Sequence, residues 1–166
     1  MKLKILWIGK TKSAPIRALS EDYLERIRRT TPCEIIEIRD PAKGRTPRAA
    51  ERIQLEGEDI ARQLPKSAAI VALDETGTQY ASEEFARWLE TEQNNGTKEM
   101  VFIVGGPDGL SRDIAGRARQ VFSLGKMTWT HEMCRVLLLE QIYRAFCILR
   151  KIPYHKGAPT TGGDRR

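Results

Sequence analysis

Five short apolar runs, Leu3 to Ile8, Glu34 to Ile38, Ala68 to Leu73, Met100 to Val104 and Val121 to Leu124, alternate along the chain with stretches of helical periodicity. The runs are continuous more than alternating, which is the pattern of strands covered on both faces in a parallel sheet. The order they set, βαβαβαβαβα, constrains the chain to an α/β fold with a mostly parallel sheet and helices on both faces.

The helical stretches carry their own start and stop signals. From about Ala14 to Arg29, Ile16, Leu19, Tyr23 and Ile27 share one face. Thr46-Pro47 reads as N-cap and N1 of a second helix with Ile53, Ile60 and Leu64 at near-helical spacing. Ser82 reads as the cap of a third, whose first turn holds Glu83 and Glu84 at the positive helix end and whose stripe is Phe85, Trp88 and Leu89. That helix is expected to stop near Asn94-Asn95-Gly96. Ser111 begins a short fourth helix, and Thr130 caps a fifth from His131 to about Lys151. In the fifth, Met133, Cys134, Val136, Leu137, Leu138, Leu139, Ile142, Phe146 and Leu149 occupy most of the circumference, whereas a surface helix shows a single apolar stripe. A deep core position or a subunit interface would cover the second face.

A chain of 166 residues fits one domain with a real core. Residues 1–156 read as that domain, and the stretch GAPTTGGDRR, 157–166, as a flexible tail. No apolar run approaches the roughly 20 residues of a membrane span. The start, MKLKILWIGKTK, suits a first strand better than a signal peptide, so a cytoplasmic protein is expected. Cys33, Cys134 and Cys147 include no CxxC pair. His131 and Cys134 would make half a metal site, but a second pair is missing, so packing is the better reading and no metal is expected.

The formal charge of +6 and pI near 9.4 leave room for a polyanionic partner. Basic residues concentrate at Arg17, Arg26, Arg28 and Arg29, at Lys43, Arg45 and Arg48, and at Arg150, Lys151 and Lys156; a solvated face explains each equally well.

Three strand ends run into polar or glycine-rich loops: Leu73-Asp74-Glu75-Thr76-Gly77, Gly105-Gly106-Pro107-Asp108-Gly109 and Leu124-Gly125-Lys126-Met127. In open parallel sheets ligands bind beyond the carboxyl ends of strands, so three successive loops can make one pocket; turn chemistry also explains each loop alone. Strand one is followed by Gly9-Lys10-Thr11-Lys12 without GxGxxG, and no GxxxxGK[ST] occurs, which disfavours dinucleotide binding and P-loop hydrolysis. GGPDG allows close backbone approach but contains a proline without an N–H, which suits an adenosine or a carboxylate better than a phosphate. With no GxSxG and only His131 and His155, a hydrolase triad is hard to assemble.

The stretch SLGKMTWTHEMCRVLLLEQIYRAFCILRKIPYHK, together with VALDETG, VFIVGGPDGLS and KLKILWIGK, closely resembles the ribosomal large subunit methyltransferase H family, the YbeA-like SPOUT enzymes, from Met1 to Lys156. The resemblance implies a C-terminal trefoil knot, with S-adenosylmethionine bent among the knot loops. By motif, Leu73 closes strand three against the cofactor, Gly105 approaches it with its backbone, and Leu124, Gly125, Lys126, Met127, Thr128 and Trp129 line it. Gly125 stands where relatives often carry serine and Thr130 where many have proline, so main-chain contacts are expected there. The implied substrate is N3 of a pseudouridine in a stem-loop of 23S rRNA, on the assembled 70S ribosome. Arg135, Arg144 and Tyr154 are the implied RNA contacts, and His155, Tyr154 and Arg144 the catalytic group. Arg135 and Arg144 are cations on a largely apolar helix and need an acceptor, either Glu140 or an RNA phosphate. Tyr154 can stack on a splayed base, and His155 can take the imide proton or orient the substrate. The resemblance also implies a homodimer with shared sites. A non-enzymatic RNA-binding assembly factor and a small-molecule nucleotide enzyme are the competing classes.

Overall fold

The computed structural model describes residues 1–41, 44 and 46–154. Five strands, β1 (Lys2–Ile8), β2 (Cys33–Ile38), β3 (Ala69–Gln79), β4 (Glu99–Val104) and β5 (Gln120–Ser123), alternate with five helices, α1 (Ala14–Arg28), α2 (Ala49–Gln63), α3 (Ser82–Asn94), α4 (Arg112–Arg117) and α5 (His131–Leu149). The strands form one sheet in the order β2-β1-β4-β3-β5 with every pairing parallel.

That order dictates where the helices go. The steps from β1 to β2 and from β3 to β4 run one way across the sheet, while those from β2 to β3 and from β4 to β5 run the other. Right-handed crossovers then place α1 and α3 on one face and α2 and α4 on the opposite one. Two buried clusters follow. On the first face Leu3, Ile5, Val71, Phe102 and Val104 meet Leu24 and Ile27 of α1, Phe85 and Leu89 of α3, and Leu138, Ile142 and Phe146 of α5. On the second, Leu6, Ile8, Ile70, Val101 and Ile103 meet Ile60 of α2 and Ile114 of α4. Every strand of the inner sheet is thus covered on both sides, which is why its apolar runs are continuous.

Differences from expectation lie at element ends. α2 starts at Ala49 behind an extended Arg48 (ψ 152°), so Thr46 caps nothing and Pro47 precedes the helix. Ser82 is the first helical residue instead of the cap; the Glu84 carboxylate accepts the Ala81 N–H at 2.8 Å and supplies the capping interaction. β3 continues past Leu73 to Gln79, because Leu73 and Thr78 both pair with Phe122 and the intervening Asp74–Gly77 segment bulges out. Gly77 makes the bulge possible: a Cβ there would lie 2.8 Å from Phe122 N and C and from Val121 C. Gly77→Ala is therefore expected to cost about 1–3 kcal/mol, as overpacking does, read as a lower denaturant midpoint.

The apolar surplus of α5 is covered largely within the chain. α5 lies between α1 and α3 and buries Val136, Leu138, Leu139, Ile142, Ala145, Phe146 and Cys147 against them and the sheet. Among the α5 residues that stay half-buried is a stripe at helical spacing, Met133, Leu137, Glu140 and Arg144. Among the described residues no helix is long and apolar enough to cross a membrane.

Candidate active site

The connection after β3 leaves toward one face of the sheet and the connection after the adjacent β4 toward the other, so their carboxyl ends part and leave a crevice. A cleft of about 600 Å³ occupies it, a size typical of sites for cofactor-sized ligands. Leu73, Asp74 and Glu75 come from β3, Val104 and the Gly105–Leu110 loop from β4, and Phe122–Gly125 from β5. Residues 127–130 close the far wall, and the first turn of α5 adds His131 and Cys134.

Each loop is held by its own short-range bonds. Asp74 Oδ1 accepts Thr76 N–H at 2.9 Å and the Thr76 hydroxyl at 2.6 Å. The Gly109 N–H bonds the Gly106 carbonyl at 3.1 Å in a turn that requires φ +90° at Gly109. Arg52 of α2 pairs with Asp108 across 3.3 Å. Ser123 Oγ accepts the Gly125 N–H at 3.2 Å and donates to the Gly125 carbonyl at 3.0 Å, fixing a residue at φ +139° that favours glycine. Thr130 caps α5 by accepting the Met133 N–H at 3.3 Å.

Gly105 has no room for a side chain: a Cβ would sit 2.9 Å from the Gly109 carbonyl oxygen and 3.0 Å from Leu110 Cγ. Its close approach is to the loop itself, which folds back over it. The cleft's walls are apolar at Leu73, Val104, Phe122 and Leu124, and its charges are the carboxylates Asp74, Glu75 and Asp108; no Lys or Arg lines it among the described residues. Burial, and then the Arg135 cation, lower the pKa of His131, so its imidazole is neutral at pH 7. Burial raises that of Cys134, which stays a thiol.

Of the residues that the resemblance assigns to the cofactor, Leu73, Gly105, Leu124, Gly125, Met127, Thr128 and Trp129 line the cleft, and Lys126 does not. Lys126 is exposed and turned out of the wall. Thr130 read chiefly as a helix cap and His131 and Cys134 as packing or half a metal site, yet α5 begins at the cleft's edge and brings all three into its lining.

The implied RNA contacts separate. Arg135 is 1% exposed, with its guanidinium donating to the Ile8 carbonyl at 2.6 Å and to Thr11 Oγ1 at 2.7 Å, and lying 4.9 Å from the Trp7 ring centroid. It ties α5 to the end of β1, while Glu132, which accepts the Lys12 and Ser13 N–H groups at 2.7 and 3.2 Å, ties it to the start of α1. An RNA phosphate has no access to it, so the expected contact at Arg135 is corrected to a core anchor. Arg144 and Tyr154 do come together. Arg144 Nε donates to Glu140 Oε1 at 2.9 Å, its guanidinium lies 4.9 Å from the Tyr154 ring centroid, and the Tyr154 hydroxyl reaches Glu140 Oε1 at 3.1 Å and Tyr23 Oη at 3.2 Å. Burial, and then the hydrogen bond to Tyr23, push the Tyr154 phenol up and keep it neutral. His155, Lys156 and the tail lie outside the described residues, as do Lys43 and Arg45.

A family model described as predicted SPOUT methyltransferase matches residues 1–155 of this chain. The chain belongs to the SPOUT methyltransferase family. Relatives named ribosomal RNA large subunit methyltransferase H are 46% identical over 156 residues in Geobacter metallireducens and 43% identical over 155 residues in Geotalea daltonii, each alignment covering 93% of this chain and 99% of the relative. Solved structures of a probable methyltransferase from Bordetella pertussis (TM-score 0.54, 11% identity, 87% of this chain and 96% of that one) and a probable methylase family protein from Haemophilus influenzae (0.52, 13%, 96% and 72%) share the fold. In this SPOUT methyltransferase the three strand-end loops, weak signals singly, form one cleft.

Proposed function

We propose that the chain transfers a methyl group from S-adenosylmethionine to N3 of a pseudouridine in 23S ribosomal RNA, as a cytoplasmic homodimer acting on the assembled ribosome. The single observation that carries the cofactor reading is the cleft's charge. Three carboxylates and, among the described residues, no Lys or Arg suit a ligand with a sulfonium and an ammonium group, whereas the phosphates of a dinucleotide or ATP would meet repulsion there. The apolar wall at Leu73, Val104 and Leu124 suits an adenosine, and the backbone of the Gly105–Leu110 and Leu124–Gly125 segments adds polar groups that need no particular side chain at Gly125.

When bound, the cofactor supplies an electrophilic methyl group; the protein's work is alignment, which yields much of the rate in such a transfer. The loops Gly105–Leu110 and Leu124–Thr130, which line the cleft, would shield one side of it from water. The knot implied by the resemblance belongs to the same reading, since threading would keep those loops together.

The Arg144–Glu140–Tyr154 cluster is the RNA-facing part of the proposal. Glu140 is nine residues along α5 from His131, about 14 Å at the helical rise, so the cluster does not line its own chain's cleft. A second copy, packed over the half-buried stripe of α5, would supply its cluster instead. Met127 (75% exposed) and Trp129 (42% exposed), at the rim of the cleft, are apolar surface for such a partner. His155, which follows Tyr154 in the sequence, belongs to the same proposal.

Transfer of labelled methyl from S-adenosylmethionine to free 23S rRNA, 50S subunits and 70S ribosomes tests this directly. Label on one pseudouridine of the 70S particle is expected. RNA binding without label would favour the assembly-factor reading, and turnover without any ribosomal component the small-molecule enzyme.

A further inference from the structure

Glu56 is an ionisable residue, 2% exposed, and neither of its carboxyl oxygens has a hydrogen-bond partner. It lies outside the cleft's lining, on the far side of the Gly105–Leu110 loop, and the loop is built around it. A Cβ on Gly106 would sit 2.5 Å from Glu56 Oε2 and 2.6 Å from Oε1, so glycine is what lets the carboxyl reach the loop backbone. α2 seats the group firmly, because Gly57 is pressed against Ser111 at the start of α4, where a Cβ would be 2.5 Å from Ser111 Oγ. One turn earlier, Arg52 grips Asp108 of the same loop. Two residues of α2 spaced i, i+4 thus underlie the loop, one bonded and one not.

An unsatisfied buried carboxylate is costly, so it either takes up a proton or finds a donor. The donor at hand is the Gly106 N–H, which already acts to lower the carboxyl's pKa without completing a hydrogen bond. On the reading that the cleft binds S-adenosylmethionine, we propose that Glu56 is a positioning residue of the cofactor site: the loop settles onto the cofactor by turning the Gly106 N–H onto an ionised Glu56 carboxylate, and the carboxyl proton leaves to solvent as the cofactor binds.

The geometry has the right protonation chemistry behind it. Burial first, and then the charge of Asp40, raise Glu56 to about 7, with Asp108 acting the same way and Arg52 opposing. These are the charged groups facing it from the segment after β2, from the loop and from α2. Where the ligand-free protein holds the proton, binding must remove it, so affinity rises with pH up to about 7 and levels off above.

Calorimetry with S-adenosylmethionine between pH 6 and pH 8 tests this on the wild-type protein and Glu56→Gln. Wild-type affinity is expected to rise about tenfold more across that range than that of Glu56→Gln. Titration of His131 and of the cofactor's own amino group is common to both proteins and cancels. Parallel pH profiles would overturn the proposal. A second readout needs no variant: the infrared carbonyl band of a buried, protonated carboxyl should vanish from the wild-type protein when S-adenosylmethionine is added at pH 6, and its persistence would overturn the proposal equally. Failure of the wild-type protein to bind the cofactor at any pH would instead sink the reading on which this one rests.

Discussion

Replacing Arg135 with alanine is expected to cost about 3–5 kcal/mol of folding stability. The substitution leaves the Ile8 carbonyl and the Thr11 hydroxyl without their donor, removes the cation from the Trp7 ring, and opens a cavity where the largest fully buried side chain stood. Denaturant unfolding of Arg135→Ala and Arg135→Met separates the parts. Methionine refills most of the volume and should recover the cavity share, leaving the polar loss of about 1–3 kcal/mol. Folded Arg135→Met should still methylate ribosomes. A loss below about 1 kcal/mol in Arg135→Ala would show that the guanidinium anchors nothing, and would reopen an RNA role for it.

The second large effect concerns the shared site. Gly105→Val is expected to weaken cofactor binding by on the order of 10- to 100-fold, because the new side chain meets the Gly109 carbonyl and Leu110 and must deform the loop. Arg144→Ala is expected to keep cofactor affinity and lose methyl transfer, since it empties the cluster with Glu140 and Tyr154 and leaves the cleft untouched. If the cluster of one copy serves the cleft of the other, two inactive parents regain activity after subunit exchange. Half of the dimers would be mixed and each would hold one intact site of two, so recovery to about a quarter of wild-type activity is expected. Verified mixed dimers as inactive as their parents would place Arg144 and Tyr154 in the service of their own chain or of neither.

How much of this was readable in advance depends on the range of the interaction concerned. The continuous apolar runs from Leu3, Glu34, Ala68, Met100 and Val121 announce buried parallel strands, because burial on both faces leaves no position for alternation. Thr130 and Ser111 announce helix starts, because a cap is satisfied three residues away. Glycine and proline in GGPDG announce a turn for the same local reason. Family resemblance pointed to the cofactor and to eight residues for it, seven of which line the cleft; the exposure of Lys126 and the burial of Arg135 are decided by neighbours distant in the chain.

Tertiary structure decided the rest. The sequence by itself determined that the chain is α/β, where its elements lie to within a few residues, and that α5 has more apolar surface than one face needs. It did not determine that α5 would wedge between α1 and α3, nor that β3 would run past Leu73 and bulge opposite Phe122. Nor did it show that Glu56 would be sealed beneath Gly106, 50 residues away in sequence. Each of these follows from which strand ends up beside which. Strand order is set by the summed burial of two cores and the handedness of four crossovers. No short window of residues carries that sum, so the burial of charged side chains such as Arg135 and Glu56 emerges only once the sheet is assembled around them.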